Sequence, residues 1–261
     1  MLIVLKYGGN AMGAEGAPDP VLDEVAALVA AGDQVVLVHG GGPQIDAELR
    51  AKAIEEPRVA GLRVTGRAAR DVVESVLCGT VNKALVRALA RRGTRAVGIS
   101  GEDGGLLVAR RAAAIEGVDL GFVGEIDRVE PAAVRALLDA GFVAVVAPLA
   151  LDPSDGAALN CNADTAAGAI AGALRADAYV VITNVAGVRR DLADPNSVIP
   201  RLSLAQAQGF LADGTFSDGM IPKMEAAIRA VREGARRALV AGAGSGAIAA
   251  ALAGHATELH V

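Results

Sequence analysis

Leu2-Ile3-Val4-Leu5-Lys6-Tyr7-Gly8-Gly9 and, further along, Gln34-Val35-Val36-Leu37-Val38-His39-Gly40-Gly41-Gly42-Pro43 decide how this chain is built. In each, a short continuous apolar run stops at glycines. Such a run reads as a strand buried on both faces, and therefore as part of a parallel sheet. Both glycine loops then open at carboxyl ends of strands, the edge at which open α/β sheets place their ligands. Glycine permits close backbone approach, and amides left free at the start of a following helix favour anions. A third fragment, Asp218-Gly219-Met220-Ile221-Pro222-Lys223, adds a lysine in the first turn of a helix. The three together read as a phosphate cradle.

Working outward, helical patterns are expected at 18–31, 43–52, 68–91, 131–140, 163–174, 203–211, 220–233 and 246–252. Further buried strands are expected at 96–100, 143–147, 178–182 and 238–241, with short β-like alternation at 58–65 and a β-rich stretch ending at residue 128. Strands alternating with helices predict an α/β protein, a three-layer α/β/α sandwich around a mainly parallel open sheet. No linker rich in Pro, Ser or charge divides the chain and no fixed-period repeat occurs. Two lobes sharing one sheet are expected, 1–175 and 176–261.

Composition narrows the function. With 261 residues and 52% of them hydrophobic, a large core can be buried, and only 2% aromatics means that Ala, Val, Leu and Ile must build it. A net charge of -5 and a pI near 5.3 give no general attraction to nucleic acid or to an anionic membrane, so a compact anion must be met by local positive charge. Cys78 and Cys161 lie far apart and read as reduced thiols. The chain opens on a strand, and no uncharged apolar run approaches the ~20 residues that span a bilayer. A soluble cytoplasmic protein is expected.

Each candidate residue has a plain reading beside the chemical one. Lys6, leaving a buried strand at a ligand edge, meets an anion or snorkels to solvent. Lys223 sits where a cation opposes the helix dipole, so it is either a surface lysine or one placed for a ligand. Asn160-Cys161-Asn162-Ala163-Asp164 precedes an alanine-rich helix that needs one cap, and this run offers three. Arg63 either makes a surface ion pair or captures a carboxylate with its planar fork. His39 is expected to bond a neighbouring backbone rather than react, and Glu102 and Asp103 to be turn residues rather than metal ligands. No G-x-x-x-x-G-K-[ST] occurs, and Gly242-Ala243-Gly244-Ser245-Gly246 has neither the spacing nor the following chain of a dinucleotide turn.

Taken in order, Leu5 to Met12, Val38 to Pro43, Gly61-Leu62-Arg63-Val64-Thr65, Gly79-Thr80-Val81-Asn82-Lys83, Gly121-Phe122-Val123-Gly124-Glu125, Asn160 to Asp164 and Asp218 to Lys223 resemble the amino acid kinase family over nearly the whole chain. The closest fit is to the branch acting on N-acetyl-L-glutamate. The resemblance implies phosphoryl transfer from ATP, with Mg2+ carried on the nucleotide, to the side-chain carboxylate of that substrate in arginine biosynthesis. It implies Lys6 and Lys223 at the transferred phosphoryl, Asp164 holding both, and the amides of Gly8, Gly9, Gly41 and Gly42 receiving oxygens. Arg63 and Asn160 would anchor the carboxylate that does not react. Thr183-Asn184-Val185-Ala186-Gly187-Val188 resembles the nucleotide-side loop, usually Thr-Asp-Val-Pro-Gly-Val, with Asn184 and Ala186 as departures; Thr183, Asn184 and Gly187 are its expected nucleotide contacts. Residues 1–175 would bind the acyl substrate and dimerise, and 176–261 would bind nucleotide.

Two other readings stand beside this one, a sister kinase acting on carrier-bound 2-aminoadipate and a non-catalytic amino-acid sensor of the same fold. The resemblance also implies at least a homodimer. Because Met1 is followed at once by strand residues, the amino-terminal helix that goes with arginine inhibition in feedback-regulated relatives is expected to be missing, and arginine to have little effect.

Overall fold

The computed structural model describes residues 1–8, 12, 17–183, 187–190, 194, 197–216 and 219–260. The strands are β1 (Leu2–Tyr7), β2 (Gln34–His39), β3 (Arg58–Val59), β4 (Leu62–Arg63), β5 (Ala96–Ser100), β6 (Leu107–Arg111), β7 (Gly124–Val129), β8 (Val143–Ala147), β9 (Leu149–Leu151), β10 (Ala158–Asn160), β11 (Ala178–Thr183), β12 (Arg201–Ser203), β13 (Ala238–Gly242) and β14 (Thr257–His260). Eight of them form one sheet in the order β12-β14-β13-β11-β1-β2-β8-β5. Every described pair in that sheet is parallel except β13 with β14. β1 lies at its centre, with β2 and its later neighbours on one side and all strands after residue 175 on the other. The sheet therefore changes direction of growth at β1, where open α/β folds leave a crevice at the carboxyl edge.

Alternation along the strands supplies both faces. Ile3, Leu5, Tyr7, Val35 and Leu37 pack with the helices α1 (Pro20–Ala30), α2 (Gly42–Ala51), α3 (Arg67–Glu74) and α4 (Asn82–Ala90). Val4, Val36 and Val38 point the other way, to α5 (Ala132–Asp139), α6 (Ala163–Leu174), α7 (Leu204–Ala212) and α8 (Ile221–Glu233). A last helix, α9 (Ala247–Leu252), joins the first face, and its Ala249 amide donates to Glu24 of α1 at 2.9 Å. That carboxylate at a helix N-terminus ties the two ends of the chain together. The expected three-layer sandwich is present. No helix among the described residues is long and apolar enough to cross a membrane.

One local expectation is corrected and another is made specific. The helix expected over 68–91 is interrupted by a π-helical segment, Ser75–Val81, across which the buried pairs Val72–Val73, Val76–Leu77 and Val81–Asn82 step by four and then by five residues. The β segment expected over 58–65 is a hairpin of two very short strands, β3 and β4, with Ala60 and Gly61 at φ 48° and 79° between them. Both turn residues adopt the left-handed conformation that two-residue hairpins of the I′ kind require. Alanine gives no hint of it.

His39 shows how tightly β2 is fixed. It is fully buried, its Nδ1–H donates to the Gly40 carbonyl at 2.9 Å, and its Nε2 accepts from the Asn82 amide at 3.2 Å. Asn82 also donates to the Val145 carbonyl at 3.0 Å, so α4 is stitched to two strands of the sheet. Burial pulls the His39 pKa down to about 4, with Lys83 adding to the burial and the Gly40 carbonyl opposing it. The imidazole is a structural group, as expected. It stays neutral when folded but takes a proton in the unfolded chain below about 6.5, so stability falls as pH drops from there to about 4 and levels off beneath. The loss is roughly 3 kcal/mol, and denaturant titrations of wild type and His39→Gln across that window should differ by this slope.

Candidate active site

β1 delivers Lys6 to the sheet face that carries α6 and α8, two residues past Val4 on the same side of the pleat. Those helices cross at very short range. A Cβ on Gly168 would stand 2.5 Å from the Ala226 carbonyl oxygen, and one on Gly172 would stand 2.5 Å from the Glu233 Cβ. Glycines four apart on α6 thus let α8 approach backbone to backbone. The approach carries Lys223, at the third position of α8, over Asp164, at the second position of α6.

Asp164 is the junction. Its Oδ1 lies 3.1 Å from the Lys6 ammonium and its Oδ2 lies 3.6 Å from that of Lys223. The side chains of Lys6 and Asp164 are only 9% and 7% exposed, which decides against snorkelling, and Lys223, at 19%, is no solvated surface lysine. Lys223 also donates to the Gly219 carbonyl at 3.1 Å. Asn162 caps α6, its Oδ1 accepting from the Asp164 and Thr165 amides at 2.8 and 3.1 Å, and the Tyr179 hydroxyl donates to the Asp164 carbonyl at 3.0 Å. Burial lowers the Lys6 pKa, Asp164 pulls it back up, and Lys223 presses it down again. One carboxylate between two ammonium groups leaves a unit of positive charge facing the cavity.

That cavity holds about 700 Å³ and gathers most of the expected residues. Lys6, Gly8, Gly41, Gly42, Arg63, Asn160, Asp164, Thr183 and Lys223 all line it. The α2 N-terminus opens there, with Gly41 as N-cap; a Cβ on Gly41 would meet Leu77 of the π segment at 2.7 Å. The three polar residues before α6 divide their labour. Asn162 caps, Asp164 pairs with the lysines, and Asn160 donates to Thr65 Oγ1 at 3.3 Å, which in turn donates to the Arg63 carbonyl at 2.9 Å. Arg63 is buried and ion-paired with Asp46 of α2, and Asp46 lies 3.3 Å from Arg58. Burial pushes the Asp46 carboxyl up, but the two arginines outweigh it and hold it below the usual carboxylate range. Among the described lining residues, Lys6, Lys223, Arg58 and Arg63 face only Asp46 and Asp164, a surplus of two positive charges.

Gly187 does not line the cavity; a Cβ there would stand 2.8 Å from both Thr257 and Val198, so its smallness serves packing. Gly9 and Asn184 lie outside the described residues, as do Ala186 and Asp218. Glu102 and Asp103 belong to a turn, with Asp103 Oδ2 accepting from the Ser100 amide at 2.6 Å. Cys161 lines the cavity as a buried thiol with its pKa pushed up to about 12 by burial. Sequence reasoning passed over Asp46 and Arg58, which look like ordinary charges of a helix and a strand. Their only signal was their closeness in sequence to Gly42 and to Gly61-Leu62-Arg63.

Because the lysine–aspartate arrangement rests on the α6–α8 crossing, Gly168→Ala should cost on the order of 2 kcal/mol by overpacking. It should also push Lys223 away from Asp164. Thermal melts and a crystal structure of the variant check both effects.

The sequence model of the Amino acid kinase family matches residues 1–242. An acetylglutamate kinase of Acidiphilium cryptum (strain JF-5) is 49% identical over 247 residues, covering 91% of this chain and 81% of that protein. One from Methanopyrus kandleri (strain AV19) is 46% identical over 240 residues, covering 91% and 93%. Among solved structures, N-acetylglutamate synthase from Neisseria gonorrhoeae, complexed with coenzyme A and N-acetyl-glutamate, superposes with a TM-score of 0.83 at 25% identity over 100% of this chain. This chain spans 59% of that synthase's length. The chain belongs to the amino acid kinase family.

Proposed function

We propose that this chain transfers the terminal phosphoryl group of ATP to the side-chain carboxylate of N-acetyl-L-glutamate, giving N-acetyl-L-glutamyl 5-phosphate and ADP, a step of arginine biosynthesis in the cytoplasm. The observation that carries the reading is the convergence of Lys6 and Lys223 on buried Asp164 at the carboxyl edge of β1. Relatives named acetylglutamate kinase at 46–49% identity point to the acceptor.

The chemistry follows from charge. A glutamate side chain, with an ordinary pKa near ~4.3, is already ionised at neutral pH, so the nucleophile needs no general base. The obstacle is repulsion between a carboxylate and a polyphosphate. Catalysis then consists of positioning and neutralisation. Lys6 and Lys223 neutralise charge on the transferring group from the two sides of Asp164, which fixes their ammonium groups and does not itself react. Gly8, Gly41 and Gly42 allow oxygens to approach the backbone, with the α2 N-terminus favouring negative charge. Arg63 and Asn160 hold the carboxylate that must not react. Residues 1–175 carry the acyl-substrate side, and 176–261 the nucleotide, entering past Thr183.

Mg2+ arrives with the nucleotide in this reading. Among the described residues no group of three or more His, Cys, Asp or Glu is arranged to hold a metal, and Asp164 is already committed to two lysines. Two copies of the chain are proposed to associate as a homodimer.

Hydroxylamine trapping with MgATP should give hydroxamate from N-acetylglutamate and far less from N-acetylaspartate, glutamate or aminoadipate. Equal turnover of unacetylated glutamate would defeat the assignment. Lys6→Met and Lys223→Ala should each lower kcat by roughly 10²–10³-fold with KM changed only a few-fold, because their charge matters most where phosphoryl charge develops. Near-normal kcat in Lys223→Ala would return that residue to a binding or structural role.

A further inference from the structure

The cavity lining contains a second charge arrangement, which the reaction alone does not call for. Pairing of β3 with β4 sets Arg58 directly opposite Arg63. Like charges directly opposite on an antiparallel pair repel. Asp46 of α2 enters between them, its Oδ1 paired with Arg63 and its Oδ2 at 3.3 Å from Arg58. Arg58 also donates to the Gly61 carbonyl at 3.4 Å, so the guanidinium is held over the turn of its own hairpin. Two guanidiniums and one carboxylate leave a single positive charge on this wall.

We propose that Asp46 is a specificity-determining and positioning residue, which orients Arg63 and, by cancelling one of the two arginine charges, tunes the wall to accept a head group bearing one negative charge. This deepens the proposed function and rests on it for the identity of the head, the non-reacting carboxylate of the acceptor. Three features support it. The Arg63 side chain is only 6% exposed, and a buried guanidinium needs a fixed partner to keep one orientation. Asp46 is 35% exposed at the cavity wall, so its own charge acts on whatever binds beside it. Its pKa is lowered by the arginines against the pull of burial, so it stays ionised at neutral pH and its subtraction from the wall is permanent.

Removing the negative charge should loosen Arg63 and leave the wall doubly positive. Asp46→Asn should therefore raise KM for N-acetylglutamate by about tenfold or more, with kcat changed less than about threefold, since the residue touches neither the phosphoryl group nor the reacting carboxylate. The same variant should become sensitive to a dianion. Sulfate, competing with the acceptor and not with MgATP, should inhibit it at least about fivefold more strongly than it inhibits wild type. Asp46→Glu should restore most of the KM and the sulfate resistance, which a merely structural role in α2 would not require. In Arg58→Gln the wall becomes neutral, KM for the acceptor should rise without new sulfate inhibition, and this variant carries the test if Asp46→Asn does not fold. An Asp46→Asn enzyme with wild-type KM and unchanged sulfate inhibition would overturn the proposal. Turnover by wild type, measured alongside, tests the function separately. If wild type makes no acyl phosphate, calorimetric binding of N-acetylglutamate and of sulfate to wild type and Asp46→Asn still decides the charge-tuning claim.

Discussion

Two ammonium groups share one buried carboxylate, and the rest of the structure is arranged so that they can. A buried charge must be paired, and removing one partner strands the other. Lys6, Asp164 and Lys223 come from a strand and two helices, so the pairing holds only if all three elements meet at one point. Central placement of β1 in the sheet, the Asn162 cap that fixes the first turn of α6, and the glycine-lined crossing of α6 with α8 each supply one coordinate of that point. What remains is an uncancelled positive charge, since one carboxylate stands between two ammonium groups.

The cavity then divides into two walls with related electrostatics. At one, two lysines flank Asp164; at the other, two arginines flank Asp46. Each is a pair of cations reduced by one carboxylate, and each is held on regular structure, Arg58 and Arg63 by the pairing of β3 with β4. Lysine suits a phosphoryl group as a compact point charge, whereas the planar fork of arginine suits a carboxylate that must be held still. A protein of net charge -5 thereby concentrates positive charge where two anions have to be brought together.

The parts legible in the sequence are those governed by short-range rules. β1 and β2 are readable because continuous apolar runs ending at glycines have few alternatives, and with them the edge of the sheet at which Lys6 emerges. Lys223 was ambiguous in sequence, since nothing local distinguishes a lysine in a first helical turn that meets solvent from one that meets Asp164. The α6–α8 contact that settles it is long-range. The π segment is marked in the sequence by no more than one five-residue step in the apolar pattern, from Val76 to Val81, and the Ala60-Gly61 turn is hidden because alanine seldom takes positive φ. Asp46 and Arg58 were invisible for a similar reason, since their meaning arises from strand pairing and from the packing of α2 against the hairpin.

The central claim is that Lys6 and Lys223 act on charge that develops during transfer, and not on ground-state binding. Its most direct test is the affinity of Lys6→Met for MgADP with aluminium fluoride and N-acetylglutamate, a mimic of the transferring phosphoryl group, beside its affinity for N-acetylglutamate with a non-hydrolysable ATP analogue. Binding of the mimic should weaken by roughly the same 10²–10³-fold as kcat, and ground-state binding by less than about tenfold. Equal losses for both complexes would contradict the account.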